Sequence, residues 1–126
     1  MGPVSTSGAL RDGWRAAGWY PDQTIGEAIA AGAVEHPDGR IVFEQCDDTA
    51  VEFTLSELQG RIEAAADRLR AAGIGAGDAV VVQTPADAPG IETIAGLWHL
   101  EAVVVPLVVT AVPAEVELAV EQTGAR

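Results

Sequence analysis

Two valine-rich runs, one helix apart, constrain this chain more than any other feature. "AVVVQ" occupies 79–83 and "AVVVPLVV" occupies 102–109. Both are short, β-branched and continuously apolar, the pattern of strands covered on both faces. Between them "IETIAGLWHLE" (91–101) places Ile91, Ile94, Ala95 and Trp98 on one helical face. Strand, helix, strand with short links predicts two parallel strands joined by a right-handed crossover. A third helical pattern follows in "VPAEVELAVEQTGAR", with Pro113 at its start, Glu115 and Glu117 in its first turn and Gly124 at its end. The fold class is therefore α/β.

The elements before that unit are predicted from local signals. "TIGEAIAAGAVEHP" reads as a helix with Thr24 and Glu27 as a capping box, Ile25, Ala28, Ile29 and Ala33 on one face, and Pro37 as its end. "RIVFEQ" (40–45) and "AVEFT" (50–54) read as a β-hairpin with the polar turn "CDDT". In "TLSELQGRIEAAADRLRAAG", Thr54 and Glu57 form a second capping box. Leu55, Leu58, Ile62, Ala65, Leu69 and Ala72 make one stripe, and Gly73 is placed to close the helix. Residues 1–13 are expected to be mobile, and residues 14–126 to form one domain. Trp14, Trp19 and Tyr20 in the lead-in are expected to pack onto the surface of that domain.

"GIGAGD" (73–78) is superficially similar to a dinucleotide-binding loop. Phosphate binding needs strand, glycine loop, then helix, so that helix N-terminal N–H groups face the anion. Here the order is helix, loop, strand, and the sixth position is Asp78. The loop meets a helix C-terminus, where exposed carbonyls disfavour an anion. The expected role is a helix exit and tight turn in which Gly supplies positive φ.

Charge and composition exclude several classes of function. Nineteen acidic residues stand against seven basic ones, a formal net charge of −12, and all the basic residues are Arg. Such a chain repels phosphate backbones and anionic lipid, so no nucleic-acid or membrane partner is expected. No mechanism can draw a Lys from it. The single Cys46 permits no internal disulfide and is expected to be a small, partly buried residue near a turn. The start lacks a signal-peptide pattern, and the longest apolar stretch is too short to span a bilayer, so the expected location is cytoplasmic. His36 precedes a turn and reads as solvated, and His99 reads as a packed helical residue. No two candidate ligands stand at a metal spacing. No catalytic, cofactor-binding or metal-ligating residue is assigned from motifs.

The order of the pieces carries more. Pro37 and Asp38 precede a strand, and Thr54, Leu55, Glu57 and Leu58 open a helix. Leu69, Gly73, Ile74, Gly77, Asp78 and Val80 follow, then Pro85, then Ala102, Val103 and Pro106, then Glu117 and Leu118. This ordered set resembles the N-terminal part of the adenylate-forming superfamily, and "GWYPDQT" resembles its branch that converts medium-chain, alicyclic or aromatic acids to CoA thioesters. The resemblance covers residues 14–126. It implies a partial N-terminal subdomain of an acyl-CoA-synthetase-like ligase, with ATP, Mg and CoA used by the full-length enzymes and no cofactor held by this chain alone. The family's phosphate loop, its ribose-holding Asp and its catalytic Lys lie further along than this chain reaches, so no catalytic residue is carried over. Two positions depart from the pattern: Ala86 stands for the usual Asn, and Glu101 for the usual Gly before "AVVVP". A Cβ at a left-handed exit costs about 1 kcal/mol or more, and Glu101 also brings a charge beside a buried strand.

Three readings stay open. The chain is the catalytically silent N-terminal segment of such a ligase, or a free-standing degenerate relative acting as an interaction or complementation module, or a small α/β binding domain. Under the first two its valine faces and sheet edges exceed its covering helices. The isolated chain is then expected to dimerise, swap elements, or pair with the remainder of the ligase or another protein.

Overall fold

The computed structural model describes residues 7–19 and 21–125. In chain order the elements are α1 (Gly8–Ala16), α2 (Ile25–Glu35), β1 (Arg40–Glu44), β2 (Ala50–Thr54), α3 (Leu55–Ala71), β3 (Ala79–Gln83), α4 (Ala88–His99), β4 (Val103–Leu107) and α5 (Pro113–Thr123). The fold is mixed α/β, as the two valine runs require. β3 and β4 pair in parallel, with Ala79 opposite Val103 and Gln83 opposite Leu107. β1 and β2 form a separate antiparallel hairpin, with Arg40 opposite Thr54.

Both capping boxes form. The Thr24 N–H donates to Glu27 Oε2 (2.8 Å) and the Glu27 N–H to Thr24 Oγ1 (3.1 Å). Thr54 and Glu57 repeat the arrangement at 2.8 and 3.1 Å. Each Thr satisfies an amide that helix geometry leaves orphaned, a contribution of about 1 kcal/mol. In the hairpin turn, Asp47 Oδ1 accepts from the Thr49 hydroxyl (2.6 Å) and N–H (3.1 Å). These bonds hold the Asp47 carboxyl below its ordinary pKa, the hydroxyl contributing most.

α4 is the centre of the molecule because it is buried on two sides. Leu97, with no exposed surface, packs with Val80, Val82 and Ala102 over the parallel sheet. Ala95 packs with Leu58 and Ile62 of α3, joined by Trp98, Ile29 and the hairpin's Phe43 and Phe53. The axes come close because Gly96 has no side chain: a Cβ there would lie 3.1 Å from the Ala65 Cβ and from the Ala66 nitrogen. The sequence stripe of Ile91, Ile94, Ala95 and Trp98 thus describes only part of the buried surface of α4.

Several other expectations are corrected. Residues 1–6 lie outside the described residues, and residues 8–13 form the first part of α1, an element that the sequence reading did not assign, where Ser7 Oγ accepts from the Leu10 N–H. No α1 residue is buried, and Trp14 and Trp19 are 37% and 77% exposed, so these aromatics do not seal onto the domain; Tyr20 lies outside the described residues. On α2 the inward positions are Gly26 and Ala33, with Ile25 exposed, because Gly26 sits against the Trp98 carbonyl, where a Cβ would fall at 2.7 Å. Cys46 is exposed in the hairpin turn. β3 and β4 are not covered on both faces within this chain: Val103 is 53% exposed.

Both helices that feed the parallel strands end in the same turn. After α3, the Gly73 N–H donates to the Arg70 carbonyl (2.9 Å) and the Ile74 N–H to the Leu69 carbonyl (3.1 Å). After α4, the Glu101 N–H donates to the Trp98 carbonyl and the Ala102 N–H to the Leu97 carbonyl, both at 3.0 Å. These are the paired bonds of a Schellman motif, with the left-handed residue at Gly73 (φ 91°) and Glu101 (φ 59°).

Candidate functional site

The glycine loop closes on itself. Gly73 and Gly77 take φ of 91° and 79°, as the turn requires. The Gly75 N–H donates to Asp78 Oδ2 (2.9 Å), and the Gly77 N–H to the Glu101 carbonyl (3.0 Å). With the Gly75 amide on the Asp78 carboxylate and the Gly77 amide on a backbone carbonyl, the loop carries no anion cradle, and Asp78 is its internal clamp.

In open α/β sheets ligands gather beyond the carboxyl ends of parallel strands, where helix N-termini converge. Here that end comprises 84–87 after β3 and 108–112 after β4. The amides of α4 are spoken for. Ala88 N–H donates to Gln45 Oε1 of the hairpin end (3.0 Å), and Gly90 N–H to Asp87 Oδ1 (2.9 Å). Pro89 has no N–H to give. At α5 the Val112 N–H donates to Glu115 Oε2 (2.9 Å), which sets a carboxylate at the helix start. Gln83 Nε2 holds the carbonyls of Val108, Val109 and Ala111 at 3.1, 3.1 and 2.9 Å. The described residues of this end therefore do not fit a triphosphate with its metal. Gly90 is fixed by the same packing, since a Cβ would fall 2.0 Å from the Pro85 carbonyl oxygen. Ala86, where the resemblance expects Asn, is exposed in this loop.

Among the described residues the buried charge is Glu92 on α4, 6% exposed. Its carboxylate pairs with the Arg61 guanidinium of α3, whose carbon stands 4.7 Å from the Phe53 ring centroid on β2. Three elements are tied through one cation. Only Glu92 is buried, since the Arg61 side chain is half-exposed. Removing Arg61 leaves a buried carboxylate unpaired, while removing Glu92 leaves Arg61 to solvent, and the solvent beside Arg61 screens the loss. The sequence reading missed Glu92, because Arg61 is 31 residues away. Beside it an apolar cleft of about 300 Å³ opens between α2, the hairpin, α3 and α4, lined by Ile29, Phe43, Leu58, Ile62 and Trp98. It has no charged wall.

His36 is exposed, 3.8 Å from the Glu35 carboxylate, and His99 is half-buried near the end of α4. Among the described residues no group of three His, Cys, Asp or Glu side chains converges as for a metal. Among them too, no helix is long and apolar enough to cross a membrane. The arrangement joins elements to one another through Gln45, Gln83 and Arg61.

Comparison with known proteins places this architecture. The model of a family described as "AMP-binding enzyme" matches residues 29–126. Pyochelin synthase PchD of Pseudomonas aeruginosa is 38% identical over 84 residues, which cover 67% of this chain and 15% of that protein. The inhibitor-bound N-terminal domain of FACL13 from Mycobacterium tuberculosis is 26% identical with a TM-score of 0.73, over 82% of this chain and 25% of its own. NpsA of Klebsiella oxytoca, in complex with 3-hydroxyanthranilyl-AMSN, is 20% identical with a TM-score of 0.73, over 84% of this chain and 21% of its own, a likeness of fold. The chain spans 15% of the curated relative's length.

Proposed function

This chain belongs to the AMP-binding enzyme family, and on that premise we propose that it serves as the N-terminal scaffold of an ATP-dependent acid–thiol ligase. Such an enzyme joins a carboxylic acid to AMP and then passes the acyl group to a thiol. The observation that carries the reading is the family match across 29–126 in a chain that spans 15% of its curated relative. The absence of Lys adds to it: the phosphate-loop and catalytic Lys of the resemblance cannot come from these residues. ATP, Mg and the thiol are held elsewhere in the enzyme, and the contribution of this segment is positional. The acid is of the medium-chain, alicyclic or aromatic kind, a reading supported by the "GWYPDQT" lead-in.

A second reading has its own observation. Glu101 keeps a left-handed backbone without the Gly that would adopt it freely, as in a relative released from catalytic constraint and used as an interaction or complementation module.

ATP–pyrophosphate exchange and the intact mass of the native protein separate these readings. The chain alone is expected to show no exchange, and the native protein to have several times the mass of 13.0 kDa. Exchange by the chain alone would overturn the scaffold reading. A native mass of 13.0 kDa without exchange would favour the module.

A further inference from the structure

Helix α2 leaves space where a core helix usually fills it. Of its residues, Ala28, Ile29 and Gly32 line the apolar cleft between α2, the hairpin, α3 and α4. Two of the three are small, while the larger Ile25 and Val34 of the same helix are 55% and 83% exposed. Other glycines of this core are required where they stand. A Cβ at Gly26 would fall 2.7 Å from the Trp98 carbonyl oxygen, and one at Gly96 3.1 Å from the Ala65 Cβ. A Cβ at Gly32 would meet nothing within 4 Å. Glycine inside a helix weakens it relative to alanine. α2 therefore gives up stability to keep the cleft open, with no neighbour among the described residues demanding it.

The walls define what fits. Every residue that lines the cleft is apolar, from Ile41 and Phe43 on β1 through Leu58 and Ile62 on α3 to Ile91 and Trp98 on α4. Water between such walls lacks hydrogen-bond partners. An apolar cavity of about 150 Å³ takes benzene, so this cleft, at about 300 Å³, suits a molecule about twice that size. Phe43 and Trp98 supply two rings against which an aromatic guest gains more than its buried area alone gives. No wall group pairs with a charge, and a chain of net charge −12 repels anions. The acid and ATP of the ligase reading are both anions, so neither is the occupant.

We propose that this cleft binds a small, uncharged aromatic molecule of about ten carbons, seated beside Gly32 and Trp98. Its occupant completes the core shared by α2, the hairpin, α3 and α4, and stabilises the fold as it saturates the site. The site is built from residues between 28 and 98 alone, and it goes beyond the scaffold reading without depending on it.

The test is a titration of the 126-residue chain with naphthalene, read at the indole N–H resonances of its three Trp residues. Trp98 lines the cleft, and Trp14 and Trp19 lie outside it. The Trp98 resonance is expected to shift saturably, those of Trp14 and Trp19 to stay in place, and the melting temperature to rise. 2-Naphthoate, the same rings with a carboxylate, is expected to bind about tenfold more weakly or worse, because its charge finds no partner. Gly32→Leu sets a side chain in the cleft and is expected to abolish the Trp98 response.

Should Gly32→Leu not fold, Gly32→Ala decides. Its added Cβ meets no atom of the chain, so it is expected to raise the melting temperature of the free chain and to weaken naphthalene binding. No saturable shift at Trp98 overturns the proposal. Equal shifts at all three Trp residues overturn it too, as adsorption to the exposed valines, and so does binding unchanged by filling at Gly32. Binding of 2-naphthoate as tight as that of naphthalene overturns the requirement for an uncharged guest. Each of these failures leaves the scaffold reading standing, since neither ATP nor its acid enters the experiment.

Discussion

After α3 the chain leaves through Gly73, and after α4 through Glu101. The two exits make the same pair of hydrogen bonds and deliver the chain into neighbouring parallel strands. They are also joined to each other, because the Gly77 N–H in the first turn donates to the Glu101 carbonyl in the second. What differs is the source of the left-handed backbone. At Gly73 the residue adopts it at little cost. At Glu101 the surroundings impose it: Leu97 and Ala102, the apolar pair that brackets the turn, are both buried, whereas Leu69 of the first exit is half-buried. A well-buried clasp tolerates a residue that the local backbone disfavours. The charge that the sequence set beside a buried strand is in fact exposed, so the strain at Glu101 lies in the backbone.

The largest effect separates the two clasps. Leu97→Ala empties a site with no exposed surface and should destabilise by about 3–5 kcal/mol. Leu69→Ala should cost about half as much, both read from urea midpoints. Equal losses would mean that burial does not distinguish the exits. Next, Gly73→Ala, at φ 91°, should lower stability by about 1–2 kcal/mol; no loss would show that the first turn relaxes.

In the opposite direction, Glu101→Gly should raise stability by about 1 kcal/mol. Glu101→Ala keeps the Cβ and should gain nothing. If Ala gains as much as Gly, the carboxylate is at fault rather than the backbone. Asp48, the other non-Gly residue with positive φ among the described residues (63°), sharpens the point. Asp adopts this region more readily than Glu, so Asp48→Gly should gain no more than about 0.5 kcal/mol.

The smallest effect is the pH response beside Asp48. The Asp47 carboxyl is held below its ordinary 3.8. Its support of the turn is therefore complete above that value and is lost as pH falls through the lower folded pKa. The Thr49 amide resonance should titrate with a midpoint below 3.8. A midpoint at or above it would remove the bond from Thr49 as the cause.

Much of this was legible beforehand because the signals are short-range. Thr24 with Glu27 and Thr54 with Glu57 announce helix starts from three residues apart. Gly73 and Gly124 announce ends, and the valine runs announce the strands. α1 was missed because Gly8, Asp12 and Gly13 dilute its pattern and nothing buries it. The start of α4 was missed because "DAPG" reads as a breaker. Pro89 and Gly90 suit a first turn capped by Asp87, and only the Pro85 carbonyl explains why the second must be Gly.

The sequence by itself determined the order of helices and strands, the hairpin and the parallel unit, since caps, alternation and turn residues act within a few positions of one another. The tertiary structure decided which helix is buried on two sides, that Glu92 meets Arg61, and that Glu101 is held left-handed. Each of these depends on groups far apart in the chain whose meeting is set by packing, and packing has no period that a sequence displays.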